Sequence, residues 1–107
     1  MNIKPSDLVG RLGEAVLYVL WRAQRDGKQW VSVREILQDL GNVKLSSLYI
    51  TLDRLEVDGF VSSHVEGPTG KPGGRSMKMF QVSLKGLKML ISINSYNEEI
   101  RRGTPLP

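Results

Sequence analysis

The spacing of apolar positions changes character along this chain, and the changes divide it into helices and a hairpin. From Leu8 onward, Leu8, Val9, Leu12, Ala15, Val16, Leu17, Val19, Leu20, Trp21 and Ala23 recur at helical spacing. They cover far more than the ~100° stripe of a helix with a single buried side. Arg11, Glu14, Tyr18, Arg22 and Arg25 hold only the remaining sector. The pattern predicts a helix from about Asp7 to Asp26 that is covered on more than one side, with Ser6 as N-cap and Gly27 as stop. Gln29 to Ser32 has the character of a short strand. Ser32 then suits the N-cap of a second helix, Val33 to Leu40, with Glu35 at the capping-box position and Gly41-Asn42 beyond its end.

A third helix is predicted from about Leu45 to Asp58. Leu45, Leu48, Leu52 and Leu55 fall within about 80° of one another on a helical wheel and form its buried side. Ser46, Ser47, Ile50, Arg54 and Val57 lie opposite. Two short helices joined by a tight turn with Gly are the signature of a helix-turn-helix. After Gly59 the period shortens to that of a strand, Phe60 to Glu66. A loop dense in Gly, Pro and cations follows, Gly67 to Arg75, and a return strand, Met77 to Val82, places Phe80 and Val82 on one face. Ser83 can cap a final helix from Leu84 to about Arg102.

That last helix has two apolar stripes. Leu84, Leu87, Leu90 and Ile91 make one; Met89, Ile93, Tyr96 and Ile100 make another, with the spacing of a coiled-coil seam. One stripe can close the chain's own core. The second is left for burial within the chain, for a different protein, or, most simply, for a second copy related by a two-fold axis. The predicted dimer contacts are Leu12, Val16 and Val19 of the first helix with Met89, Ile93, Tyr96 and Ile100 of the last. The expected fold class is mainly α with a small β-hairpin: a winged helix-turn-helix over residues 1–83, an added C-terminal dimerisation helix over 84–102, and a flexible tail over 103–107.

Charge sharpens this picture. The net charge of +4 is modest, but residues 61–90 alone carry +4, while 44–60 sum to −1. A basic patch on a hairpin beside a helix is an electrostatic footprint for a polyanion. A helix in the major groove with a hairpin tip on the flanking backbone would use it. The candidate DNA contacts are Lys44, Ser46, Ser47, Tyr49, Ile50 and Arg54 on and before the third helix, and Lys71, Arg75 and Lys78 on the wing. Arg54 can pair bidentately with guanine, Ile50 can pack on a thymine methyl, and Tyr49 can reach a phosphate oxygen. The rival reading is a winged-helix module that binds protein instead of DNA.

Other chemistry is poorly supported. With 107 residues one domain is expected. There are no cysteines, hence no disulfide framework and no thiolate metal site. His64 is the one histidine and reads as an ordinary strand residue facing solvent. Glu98-Glu99 and Asp53/Glu56 read as solvated helix charges. Gly67 to Lys71 lacks the spacing and the Ser/Thr of a P-loop. No apolar run approaches the ~18 residues of a membrane span, and the N-terminus lacks a signal-peptide core. The expectation is a cytoplasmic protein that is not an enzyme, needs no cofactor and does not enter a membrane.

Three segments carry a family resemblance: Leu12-Gly13-Glu14 in the first helix, SSLYITLDRLEVDGFVSS, and GGRSMKMFQVSLKGLKML. Over roughly residues 12–91 the chain resembles the PadR family of winged-helix transcriptional regulators. The resemblance implies a dimeric repressor paired through the first and last helices, and a two-fold dimer would bind a palindromic operator with matched half-sites. It places the family's recognition-helix tyrosine on Tyr49 and its wing cations on Arg75 and Lys78. Met77, Met79, Phe80 and Ser83 depart from the residues usual at those family positions. It also implies that any small-molecule effector, its identity unknown, would bind at the dimer interface, where Trp21 and Tyr96 are candidate linings; core packing is the more ordinary role for both.

Overall fold

The computed structural model describes residues 4–67 and 76–103. A short 3-10 turn, Pro5–Leu8, leads into α1, Gly10–Arg25. β1 is Val31–Ser32, α2 Val33–Leu40 and α3 Leu45–Val57. The hairpin is β2, Val61–Glu66, and β3, Met77–Val82; α4 is Leu84–Arg101. The three strands form one antiparallel sheet in the order β1-β3-β2. This is the winged helix-turn-helix expected, with β1 as a short third strand.

The start of α1 departs from expectation. Gly10 has φ 75°, so the chain turns there instead of running straight through from Asp7. Ser6 lies inside the 3-10 turn and does not cap α1, whose N-cap is Val9 with no side-chain cap; the turn itself is closed by Asp7, whose carboxylate accepts from the Lys4 backbone N–H at 3.2 Å. Beyond Gly10, α1 runs through the centre of the fold and touches α2, α3, β3 and α4. Val16, Leu17, Val19 and Leu20 are each at most 1% exposed, which is why its apolar sector is so wide. They share one core with Ile36, Leu48, Leu52, Leu55, Phe80 and Ile93.

The second helix matches its sequence signals closely. The Ser32 hydroxyl accepts from the Glu35 N–H at 3.2 Å, and the Glu35 carboxylate accepts from the Ser32 N–H at 3.3 Å. Lys28 pairs with the same carboxylate. Gly41, at φ 78°, ends the helix. Such a reciprocal cap satisfies two helix-terminal donors at once.

The end of α3 fixes where the wing begins. Gly59 has φ 84°; its N–H donates to the Glu56 carbonyl, and the Phe60 N–H donates to Leu55 at 2.8 Å. This is a Schellman cap, and the buried pair Leu55 and Phe60 supplies its apolar contact. The register pairs Val61 with Val82 and Ser63 with Phe80, so Val61, Phe80 and Val82 all face the core.

The same corner anchors α4. The Ser83 N–H donates to the Phe60 carbonyl at 3.0 Å, and the Ser83 hydroxyl donates to Gly59 at 2.6 Å while accepting from the Gly86 N–H. Lys85 donates to the Asp58 carbonyl at 2.6 Å. Gly86 is buried against this backbone: a Cβ there would lie 2.2 Å from the Phe60 oxygen.

Two expectations about burial need correction. Leu45 is 46% exposed, because it opens the first turn of α3, ahead of the part that lies on the core. His64 does not simply face solvent. Its ring stands edge-on to Trp30 with centroids 4.1 Å apart, its Nδ1 is buried without a hydrogen-bond partner among the described residues, and Nε2 lies 3.4 Å from Glu66.

Candidate nucleic-acid interface

α3 is held by three leucines, Leu48, Leu52 and Leu55, each at most 2% exposed. Helical period then forces the opposite side outward. Ser46, Ser47, Arg54 and Val57 are exposed there, Ile50 is 63% exposed, and Tyr49 is 48% exposed at the edge. Arg54 makes no ion pair among the described residues, so its guanidinium is available to an external partner. Lys44 occupies the N-cap position without a side-chain cap, unlike the serines that cap α2 and α4. The structure thus gathers six predicted contacts, Lys44, Ser46, Ser47, Tyr49, Ile50 and Arg54, along one helix and its entry. Lys71 and Arg75 lie outside the described residues.

Lys78 has a different setting from the one expected. Its Nζ lies 3.1 Å from the Glu56 carboxylate and 5.4 Å from the centre of the Phe80 ring. Glu56 also accepts a hydrogen bond from Ser63. The clasp therefore joins the end of α3 to both strands of the wing. The Ser63 hydroxyl, and then Lys78, hold the Glu56 carboxyl below its ordinary value. A lowered carboxylate stabilises the fold above its unfolded value, 4.5, and that contribution is lost as pH falls through the folded value. Urea unfolding of Glu56→Gln should therefore show a smaller loss of stability between neutral pH and about pH 3 than the parent protein. Equal acid sensitivity in the two proteins would show that the clasp does not contribute. The sequence alone marks Glu56 as a solvated charge, because its partners lie on the hairpin and no local spacing identifies them.

The predicted dimer contacts are dispersed. Val16, Val19 and Ile93 are at most 1% exposed and offer no surface to another chain, since α1 and α4 use them to pack on each other and on the sheet. Leu12 and Met89 are partly covered by the same core. Tyr96 is half-buried, and Ile100 is 49% exposed. The open apolar surface lies elsewhere: Trp21 at 37%, Leu84 at 68% and Ile91 at 65% exposed. Between α1 and α4, Trp21 and Ile91 line a groove of about 540 Å³ together with Tyr18, Leu87, Leu90, Asn94 and Ser95. Trp21 is thus a surface residue, stacked under the Arg25 guanidinium at 5.1 Å, and not a core residue. Tyr96 is not among the groove lining.

No protein-family model matches the chain, and no curated protein matches it. Solved structures do. Diamide-treated YodB from B. subtilis superposes with a TM-score of 0.73 at 17% identity, over 94% of this chain and 89% of that one. A PadR family transcription regulator from Clostridium difficile R20291 gives a TM-score of 0.69 at 16% identity, over 87% and 93% of the two chains. The fold shared with these structures is the winged helix-turn-helix. Bacillus subtilis PadR in complex with operator DNA shares it, with a TM-score of 0.59 at 21% identity over 90% of this chain and 50% of that one. In this winged-helix fold α3 is the second helix of the helix-turn-helix and β2–β3 form the hairpin. No helix among the described residues is long and apolar enough to cross a membrane.

Proposed function

We propose that this chain is a cytoplasmic, sequence-specific DNA-binding transcriptional regulator of the PadR type, a repressor that acts as a homodimer on a palindromic operator. The observation that carries the reading is the outward side of α3. It presents two serines, an isoleucine and an arginine that makes no ion pair among the described residues, next to a hairpin whose loop sequence is cationic. The PadR relative in complex with operator DNA supports it. The reading gives base contacts to Ser46, Ser47, Ile50 and Arg54, and backbone contacts to Lys44, Tyr49, Lys71 and Arg75. No catalytic step and no cofactor enter it.

The test is a titration against promoter fragments at two salt concentrations. A duplex reader loses affinity steeply as salt rises, because bound cations release counterions from the phosphates. Arg54→Ala should cost about 1–3 kcal/mol and relax preference at one base position. Lys71→Ala should weaken all sequences alike and flatten the salt slope by about 1. Absent or salt-insensitive binding would instead assign the fold to protein interaction.

The dimer is proposed to form through the apolar strip that the protomer leaves open, Trp21, Leu84, Leu87 and Ile91, in place of the buried positions first expected. Large apolar residues grouped on one surface mark an interaction site, and a two-fold pair covers the same strip on both copies at once.

A further inference from the structure

Lys78 is the one lysine or arginine within either strand of the hairpin. Its position on the wing suits a phosphate contact, yet its charge is already engaged. Glu56 lies on α3 two turns after Tyr49, on the edge of the helix that borders the wing. From there its carboxylate meets Lys78 of β3 at 3.1 Å and accepts from Ser63 of β2. In the antiparallel register Ser63 stands opposite Phe80 and Val65 opposite Lys78, so Ser63 and Lys78 are diagonal neighbours on one face. One carboxylate thus grips both strands at the root of the wing.

We propose that Glu56 is an internal stand-in for a DNA phosphate: it occupies Lys78 and keeps that cation out of the contact with the duplex. The inference rests on the DNA-binding reading and adds to it. An exposed ion pair by itself is weak and would yield to a phosphate. This one is anchored. Ser63 holds the carboxylate in place, and moving Lys78 to a phosphate would leave a bare anion beside the polyanion. The consequence is a protein whose sequence-independent grip on DNA is weaker than its count of wing cations suggests, since that grip is set by the cations free to neutralise phosphate.

The experiment measures binding to random-sequence duplex DNA by fluorescence anisotropy over a series of salt concentrations, for the full chain and three variants. Glu56→Gln keeps the shape and an acceptor for Ser63 but releases Lys78. It should bind more tightly, with a salt slope steeper by about 0.9, the contribution of one added phosphate contact. Lys78→Met should leave the parent slope unchanged, and the double variant should return to the parent slope. A purely structural role for Glu56 would weaken binding in Glu56→Gln and leave the slope alone. An unchanged or shallower slope for Glu56→Gln overturns the inference. A slope flattened by about 0.9 in Lys78→Met also overturns it, because Lys78 would then already be on phosphate. A protein that shows no salt-dependent duplex binding in any form fails at the DNA-binding reading itself. That outcome is distinct from binding with an unmoved slope.

Discussion

Gly86→Ala is expected to lower stability by about 3 kcal/mol or more, at or beyond the upper end of ordinary overpacking. The methyl would sit 2.2 Å from the Phe60 carbonyl oxygen and 2.7 Å from a Val82 methyl. Neither can retreat cheaply. The Phe60 oxygen accepts the Ser83 N–H, and Phe60 itself is the residue through which the α3 cap closes. Val82 is 5% exposed and registered against Val61. Alanine is otherwise the better helix former by about 1 kcal/mol, so propensity alone predicts stabilisation. The steric term is several times larger and decides the sign. Thermal unfolding should show a midpoint lower by more than about 12 °C, taking roughly 4–8 °C per kcal/mol for a domain of this size. Gly103→Ala, also near a helix end but with nothing within 4 Å of its Cβ, is the control for general helix effects and carries only the strain of its φ of 70°. A midpoint for Gly86→Ala equal to or above the parent's would show that α4 can slide away from this corner.

Ile91→Asp is expected to leave the fold intact and to abolish the proposed dimer. Ile91 is 65% exposed, so the carboxylate meets water in the isolated protomer. In a two-fold pair it would be buried against Trp21 and Leu84 of the same strip, and an unpaired charge is not tolerated there. Sedimentation should report a monomer with unchanged circular dichroism. Two linked reading helices bind a palindrome more tightly than either alone, so operator affinity should fall by about a hundredfold or more. A dimer that persists in Ile91→Asp would move the interface elsewhere, to Leu8 or Ile100 among the exposed apolar residues. Ile93→Asp would not serve. That residue is 1% exposed, and its replacement would unfold the protomer whatever the assembly.

These two residues show what helical period can and cannot convey. Ile91 and Ile93 are both apolar on the same helix, and their spacing assigns them to different stripes. Period identifies the stripes but not the neighbour that covers each. Ile93 was expected to meet a second chain, and it lies in the protomer's own core instead, with Met89 packed against that core, while Ile100 of the same stripe stays exposed. Val16 and Val19 went astray for the same reason, since a helix covered on several sides has no sector left for a partner. Signals that act within a few residues were legible. Ser32 with Glu35, Gly41, Gly59 and Ser83 each fixed a boundary through hydrogen bonds to their own backbone surroundings. The outward side of α3 was legible too, because three buried leucines determine it. Glu56 was not. Its partners are 7 and 22 residues away, joined only once the hairpin has folded back. The turn at Gly10 was missed because a left-handed glycine inside an apolar helical run leaves no mark on the wheel.

The junction at Ser83 has a mechanical consequence. Three hydrogen bonds at one serine join the turn that ends α3 to the first turn of α4, with no slack segment between them. A displacement of the last helix therefore carries the serine-bearing helix along as one lever. In a symmetric pair, the distance between the two levers would be dictated by how the C-terminal helices cross, and a shift of that crossing would take both tips out of step with the pitch of the double helix.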